Sequence, residues 1–141
     1  MSSRILIDTS AWIDFLRARG GALGDAVERA LSNDTALMCG VVVAELLQGA
    51  KGPKERQQLE FLFANVECLP VLPDDWHGAG RALQTLRLRG MTLPLSDALI
   101  AAVAQRHGVS ILTADAHFKH LSVRLVEAPL SPDPLSPETP A

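Results

Sequence analysis

Four acids, Asp8, Glu45, Asp97 and Asp115, lie within or at the end of the apolar strings RILID, VVVAELL, LPLSDALIAAV and VSILTAD. In each string the acid borders three or more residues that belong in a core. An ionised carboxylate removed from water is costly unless it is paired, protonated or bound to metal. The basic residues fall mostly in the polar stretches between these strings and do not offer the pairing. A divalent cation is the simplest partner. Carboxylates gathered at one place raise one another's pKa unless cations hold them, and hard oxygen ligands suit Mg²⁺ or Mn²⁺ over Zn²⁺.

Taken singly, three of the acids have plainer explanations. Asp8 can cap a helix, Asp97 can be a first-turn acid favoured by the helix dipole, and Asp115 can close an Asx turn after a strand. Glu45 is harder to place, because every other residue from Val41 to Leu47 is apolar and no solvated face is evident. A structural salt bridge is its alternative, although the sequence shows no obvious basic partner. His77, His107, His117 and His120 form no HExxH arrangement and read as surface residues. Cys39 and Cys68 sit in the apolar strings ALMC and VECL and read as small buried hydrophobes rather than a disulfide.

The elements that must position these acids alternate in type. Residues 4–7 read as a buried strand, followed by a helix to about Arg17 that Thr9 and Ser10 can cap. Gly20 and Gly21 break it, a second helix covers 22–31, and 36–39 form another strand. The segment VVVAELLQ reads as a helix closed by Gly49, with a further helix over 54–63 and a strand over 66–71. Asp74 or Asp75 caps a long helix to Arg89. Ser96 is the expected N-cap of a helix ending at His107 and Gly108, so Asp97 falls in its first turn. Strands at 109–112 and 123–126 complete the order. This alternation predicts a parallel sheet covered on both faces, with Asp8 and Asp115 beyond its carboxyl edge and Asp97 entering from a helix N-terminus.

A chain of 141 residues with 48% hydrophobic content suits one domain with a full core, here expected to span residues 1–128. Residues 129–141, PLSPDPLSPETPA, hold five prolines and little to bury, and read as a disordered tail. With no Tyr, four Phe and two Trp, base stacking on aromatics is disfavoured. The formal charge of -3 argues against a broadly basic surface, but setting the four acids aside leaves twelve acids against thirteen bases. The N-terminus lacks a signal peptide's features, and no apolar run approaches the roughly 20 residues that span a bilayer, so a cytoplasmic location is expected. A DxD phosphatase would need an acid where Ser10 stands, a receiver domain lacks its acidic pair and its lysine, and no GxxxxGKS or GxGxxG loop is present.

The strings LIDTSAWIDFLR, VVVAELLQGA and LPLSDALIAAVAQRHGVSILTAD, with the following HF, resemble a PIN-domain ribonuclease, more narrowly the VapC toxins of bacterial toxin–antitoxin pairs. The resemblance covers about residues 4–126. It implies a single-domain α/β/α sandwich on a five-stranded parallel sheet with strands one and four adjacent at its centre. It also implies that Asp8, Glu45, Asp97 and Asp115 are the catalytic acids holding Mg²⁺ or Mn²⁺, with Thr9 and Thr113 as supporting hydroxyls. The expected activity is hydrolysis of RNA by water without a covalent intermediate, leaving a 5′-phosphate. Expected partners are an RNA substrate, a VapB-like antitoxin whose tail lies in a groove near the first helices, and a second copy of the chain. Trp12, Phe15 and Leu16 are candidates to line that groove, and Arg17, Arg19, Lys51, Lys54, Arg56, Arg87 and Arg89 are candidates to grip RNA. A silent PIN-like binding module and a structure-specific DNA nuclease of similar fold are the alternatives.

Overall fold

The computed structural model describes residues 3–18 and 20–127, so Arg19 and the proline-rich segment 129–141 lie outside the described residues. Strand β1 (Ile5–Ile7) leads through Asp8 into α1 (Thr9–Leu16). Helix α2 (Ala22–Ser32), β2 (Ala36–Cys39), α3 (Gly40–Gln48) and α4 (Pro53–Asn65) follow. Strand β3 (Glu67–Leu69), α5 (Pro73–Leu88), α6 (Leu95–His107), β4 (Ser110–Leu112) and a 3₁₀ turn (Ala116–His120) complete the domain.

The strands pair in parallel in the order β3-β2-β1-β4. Because helices cover the sheet, the inner strands need no polar face, and all four residues of β2 are buried. Helix α1 packs on α2, and α5 packs on α6. From β1 the chain winds to β2 and β3 on one side, then crosses through α5 and α6 to β4 on the other. The reversal of winding falls between β1 and β4, and a crevice opens beyond the carboxyl ends of strands at such a point.

The described sheet has four strands rather than five. The expected last strand over 123–126 is reduced to a parallel bridge between Ile111 and Leu125, where Ile111 N–H donates to the Arg124 carbonyl and Val126 N–H to that of Ile111, each at 2.9 Å. β4 is three residues long, and Ile111 alone turns its backbone groups toward that side, so the ladder closes after one residue. The adjacency expected of strands one and four holds, with Leu6 opposite Ile111.

Two helix starts differ from expectation. Helix α6 begins at Leu95 behind Pro94, whose φ of -64° suits helix entry, so Ser96 lies inside the first turn and does not cap. Asp97 stays in that turn, and Gly108 closes the helix at φ 65°, a conformation glycine adopts without a Cβ penalty. Helix α5 begins at Pro73, and Asp75 reaches back to accept the Leu72 N–H at 2.8 Å.

Candidate active site

The carboxyl ends of β1 and β4 bring Asp8 and the Thr113–Asp115 segment together, and α6 presents Asp97 to the same place. Asp8 serves as the N-cap of α1, accepting the Ala11 N–H at Oδ1 over 3.1 Å. The structural role open to it in the sequence is therefore real, but it uses only part of the carboxylate. Ser10 Oγ donates to Asp8 Oδ1 at 2.7 Å and Thr113 Oγ1 donates to Oδ2 at 2.8 Å. Ser10 also accepts the Ala114 N–H at 3.0 Å, and Thr113 accepts the Asp115 N–H at 2.8 Å. Two hydroxyls thus tie the exits of β1 and β4 together and fix the orientation of Asp8.

Thr9 Oγ1 donates to Glu45 Oε1 at 2.5 Å, so the second supporting threonine holds the second acid. Glu45 is not enclosed as its apolar neighbours led one to expect. Helix α3 buries Val42 and Leu46, leaves Ala44 exposed and keeps Glu45 half-buried. It has no basic partner among the described residues, and a hydroxyl with partial access to water takes that role.

His117 departs most from expectation. Its Nδ1 lies 2.9 Å from Asp97 Oδ2 and 3.1 Å from Asp115 Oδ1, and its own N–H donates to Asp115 Oδ1 at 2.9 Å. That last bond starts the 3₁₀ turn and swings the ring over the acids. His117 keeps a surface position, its side chain 45% exposed, and its place two residues after Asp115 is the offset at which an aspartate captures a backbone N–H. Ser10, expected as a cap, lies inside α1 after the Asp8 cap, and its reach across to β4 depends on strand order. His77, His107 and His120 are exposed, as expected.

The electrostatics bind the four acids into one group. Burial pushes the Asp8 carboxyl above its ordinary pKa, against its hydrogen bonds from Ser10, Thr113 and Ala11, and the charge of Asp97 adds to the rise. Burial also raises Asp97, the His117 hydrogen bond opposes this, and the charges of Asp115 and Glu45 push it further up. His117 is raised in turn, first by its hydrogen bond to Asp97. Among the described residues no Lys or Arg pairs with any of the four. Oxygen donors that repel one another, with no described Lys or Arg paired to them, fit a divalent cation.

Beside this group a groove of about 450 Å³ runs between α1, α3 and α4, with Ile13, Leu16, Leu59, Arg17 and Lys51 on its walls and Glu45 where it meets the acids. Trp12 does not line it. The indole is fully buried and packs edge-to-face on Phe15, with centroids 6.3 Å apart. An eight-residue helix turns one face to the core, and Trp12 lies on that face while Leu16 sits at its exposed end. Arg17, Lys51, Lys54, Arg56, Arg87 and Arg89 are all exposed.

The PIN domain family matches residues 5–123, a span that contains all four acids and both threonines. The chain belongs to the PIN-domain family. Within it the chain belongs with the VapC ribonucleases, being 38% identical over 118 residues to Ribonuclease VapC11 of Mycobacterium tuberculosis, which covers 81% of this chain and 88% of that protein. Among solved structures, a chain of VapBC2 from Rickettsia felis bound to a promoter DNA fragment superposes with a TM-score of 0.72 at 19% identity, covering 87% of this chain and 96% of that one. VapC20 of Mycobacterium tuberculosis, a sarcin-ricin loop cleaving toxin, gives 0.67 at 21%, covering 89% and 99%.

Away from its acids the PIN domain is braced by an ion pair between the exposed Arg106 and the buried Asp75. Arg106 grips Asp75 through two bonds of 2.9 Å and reaches the Pro70 carbonyl at 2.8 Å, joining the start of α5 to the end of α6. The guanidinium holds the Asp75 carboxyl below its usual range. Among the described residues no helix is long and apolar enough to cross a membrane.

Proposed function

We infer that this PIN-domain protein is an endoribonuclease that hydrolyses RNA phosphodiester bonds at a divalent-metal centre, and that it is the toxin of a VapBC-like pair in the cytoplasm. One observation carries the reading. Four acids from separate elements converge at the β1/β4 crevice, where Asp8 feels the charge of Asp97 and Asp97 feels those of Asp115 and Glu45, and among the described residues no Lys or Arg pairs with them.

Asp8, Glu45, Asp97 and Asp115 are the residues that would hold Mg²⁺ or Mn²⁺. When bound, such an ion supplies positive charge against a phosphoryl oxygen and lowers the pKa of water beside it. The protein's share is to hold the carboxylates still. Ser10, Thr113 and the Ala11 N–H occupy both oxygens of Asp8, and Thr9 occupies one of Glu45. Water is the proposed attacking group, and the Ser10 and Thr113 hydroxyls serve to orient Asp8.

The groove lined by Leu16, Arg17, Lys51 and Glu45 suits the tail of a VapB-like antitoxin, since it has apolar walls, two cations and one of the four acids in its lining. Arg17, Lys51, Lys54, Arg56, Arg87 and Arg89 are the proposed grip on RNA outside the pocket. The functional unit is a homodimer of PIN domains, each spanning residues 1–128. Purified protein incubated with RNA and Mg²⁺ or Mn²⁺ tests the activity. Asp8→Asn and Asp97→Asn cutting as fast as the parent would show the site assignment to be wrong.

A further inference from the structure

Oxygen donors alone would make the centre indifferent between Mg²⁺ and Mn²⁺. The placement of His117 changes the donor set. Its Nδ1, an oxygen of Asp97 and an oxygen of Asp115 all lie within 4.8 Å of one another, close enough for one ion to touch all three. The ring is held there by two independent restraints. Its own backbone N–H is bonded to Asp115 Oδ1, and the buried Phe118 anchors the next position of the 3₁₀ turn in the core. A lysine or arginine would neutralise the same carboxylates, but neither offers a lone pair to an ion at neutral pH. An imidazole does, through the nitrogen that faces the acids here.

We propose that His117 is a nitrogen ligand of the metal centre and that it biases the site toward a transition-metal dication, Mn²⁺ over Mg²⁺. This rests on the reading of the acids as a metal site and adds a ligand and a selectivity to it. Mg²⁺ takes oxygen donors and keeps its water, whereas imidazole suits first-row transition metals. Asp97 and Asp115 are then used twice, as partners of His117 without metal and as co-ligands with it.

The test uses the full chain loaded with Mn²⁺ alone, read by pulsed electron paramagnetic resonance and by calorimetry. The expected result is ¹⁴N coupling in the parent that disappears in His117→Ala, with Mn²⁺ affinity falling roughly tenfold or more, the loss that even outer-shell partners of a metal cause. Mg²⁺ affinity should change by less than the Mn²⁺ affinity. His120→Ala, which removes an exposed neighbouring imidazole, should leave coupling and affinity as in the parent. Mn²⁺ bound in a manner abolished by Asp97→Asn but without ¹⁴N coupling would overturn the role of His117 and leave the metal site standing. Mn²⁺ binding that neither Asp8→Asn nor Asp97→Asn alters would overturn both.

Discussion

Thr113 Oγ1 donates to Asp8 Oδ2 at 2.8 Å while accepting the Asp115 N–H at the same distance. One hydroxyl therefore sets two of the four acids, the first at the end of β1 and the second three residues past β4. Valine has nearly the shape of threonine but neither donates nor accepts. Thr113→Val should keep the fold, with circular dichroism unchanged, and lower metal affinity by roughly tenfold or more. An affinity equal to the parent's would mean that the strand ends hold the acids without the hydroxyl.

Asp8→Asn and Asp97→Asn should each slow RNA hydrolysis by roughly 10² to 10³, the scale of several kcal/mol of lost charge stabilisation. Their stability should move the opposite way. Both carboxyls are raised in the folded protein, so each costs stability as pH rises from the unfolded carboxylate value of about 3.9 through the folded one. In EDTA at pH 7, Asp97→Asn should melt at or above the parent. Added Mn²⁺ should raise the parent's melting temperature and leave that of Asp97→Asn nearly unmoved. A variant that melts well below the parent in EDTA would show that Asp97 is structural first.

Asp75 has the opposite sign. Arg106 depresses its carboxyl, so the pair contributes stability at pH values above the unfolded carboxylate pKa of about 3.9 and loses it as pH falls through the folded value. Asp75→Asn should lower the melting temperature at pH 7 by roughly 5 °C or more, with the gap to the parent narrowing below about pH 4. Metal affinity should be unchanged, since Arg106 lies nine residues along α6 from Asp97, about 13 Å of helix. A gap that persists undiminished at pH 3.5 would rule out the ion pair as its source.

Trp12 and Leu16 separate folding from docking on one short helix. Trp12 is fully buried, and Trp12→Ala should cost about 3–5 kcal/mol in denaturant unfolding. Leu16 is 45% exposed at the groove. Leu16→Ser should leave stability within about 0.5 kcal/mol of the parent and weaken capture by the co-expressed antitoxin. Equal antitoxin capture by parent and Leu16→Ser would place the partner elsewhere.

The sequence by itself determined the alternation of strand and helix, because short apolar runs and helical periodicity are local properties. From them came the parallel sheet and the arrival of Asp8, Asp97 and Asp115 at one edge. Glu45 stands out in the sequence as the one acid among apolar residues 41–47, and resemblance joins it to that edge and adds Thr9 and Thr113. Strand order was a tertiary decision, since it depends on which crossover returns to which side of β1, and it alone put Ser10 within reach of Ala114. The fate of the expected fifth strand also lay outside local pattern, because pairing depends on what β4 offers and not on Val123 to Val126. The same holds for Glu45, whose helix looked buried all round until packing turned its side chain to a groove. His117 shows the limit most clearly. Its place two residues after Asp115 marks only a local turn, and it is the fold that carries its ring onto Asp97, twenty residues earlier in the chain.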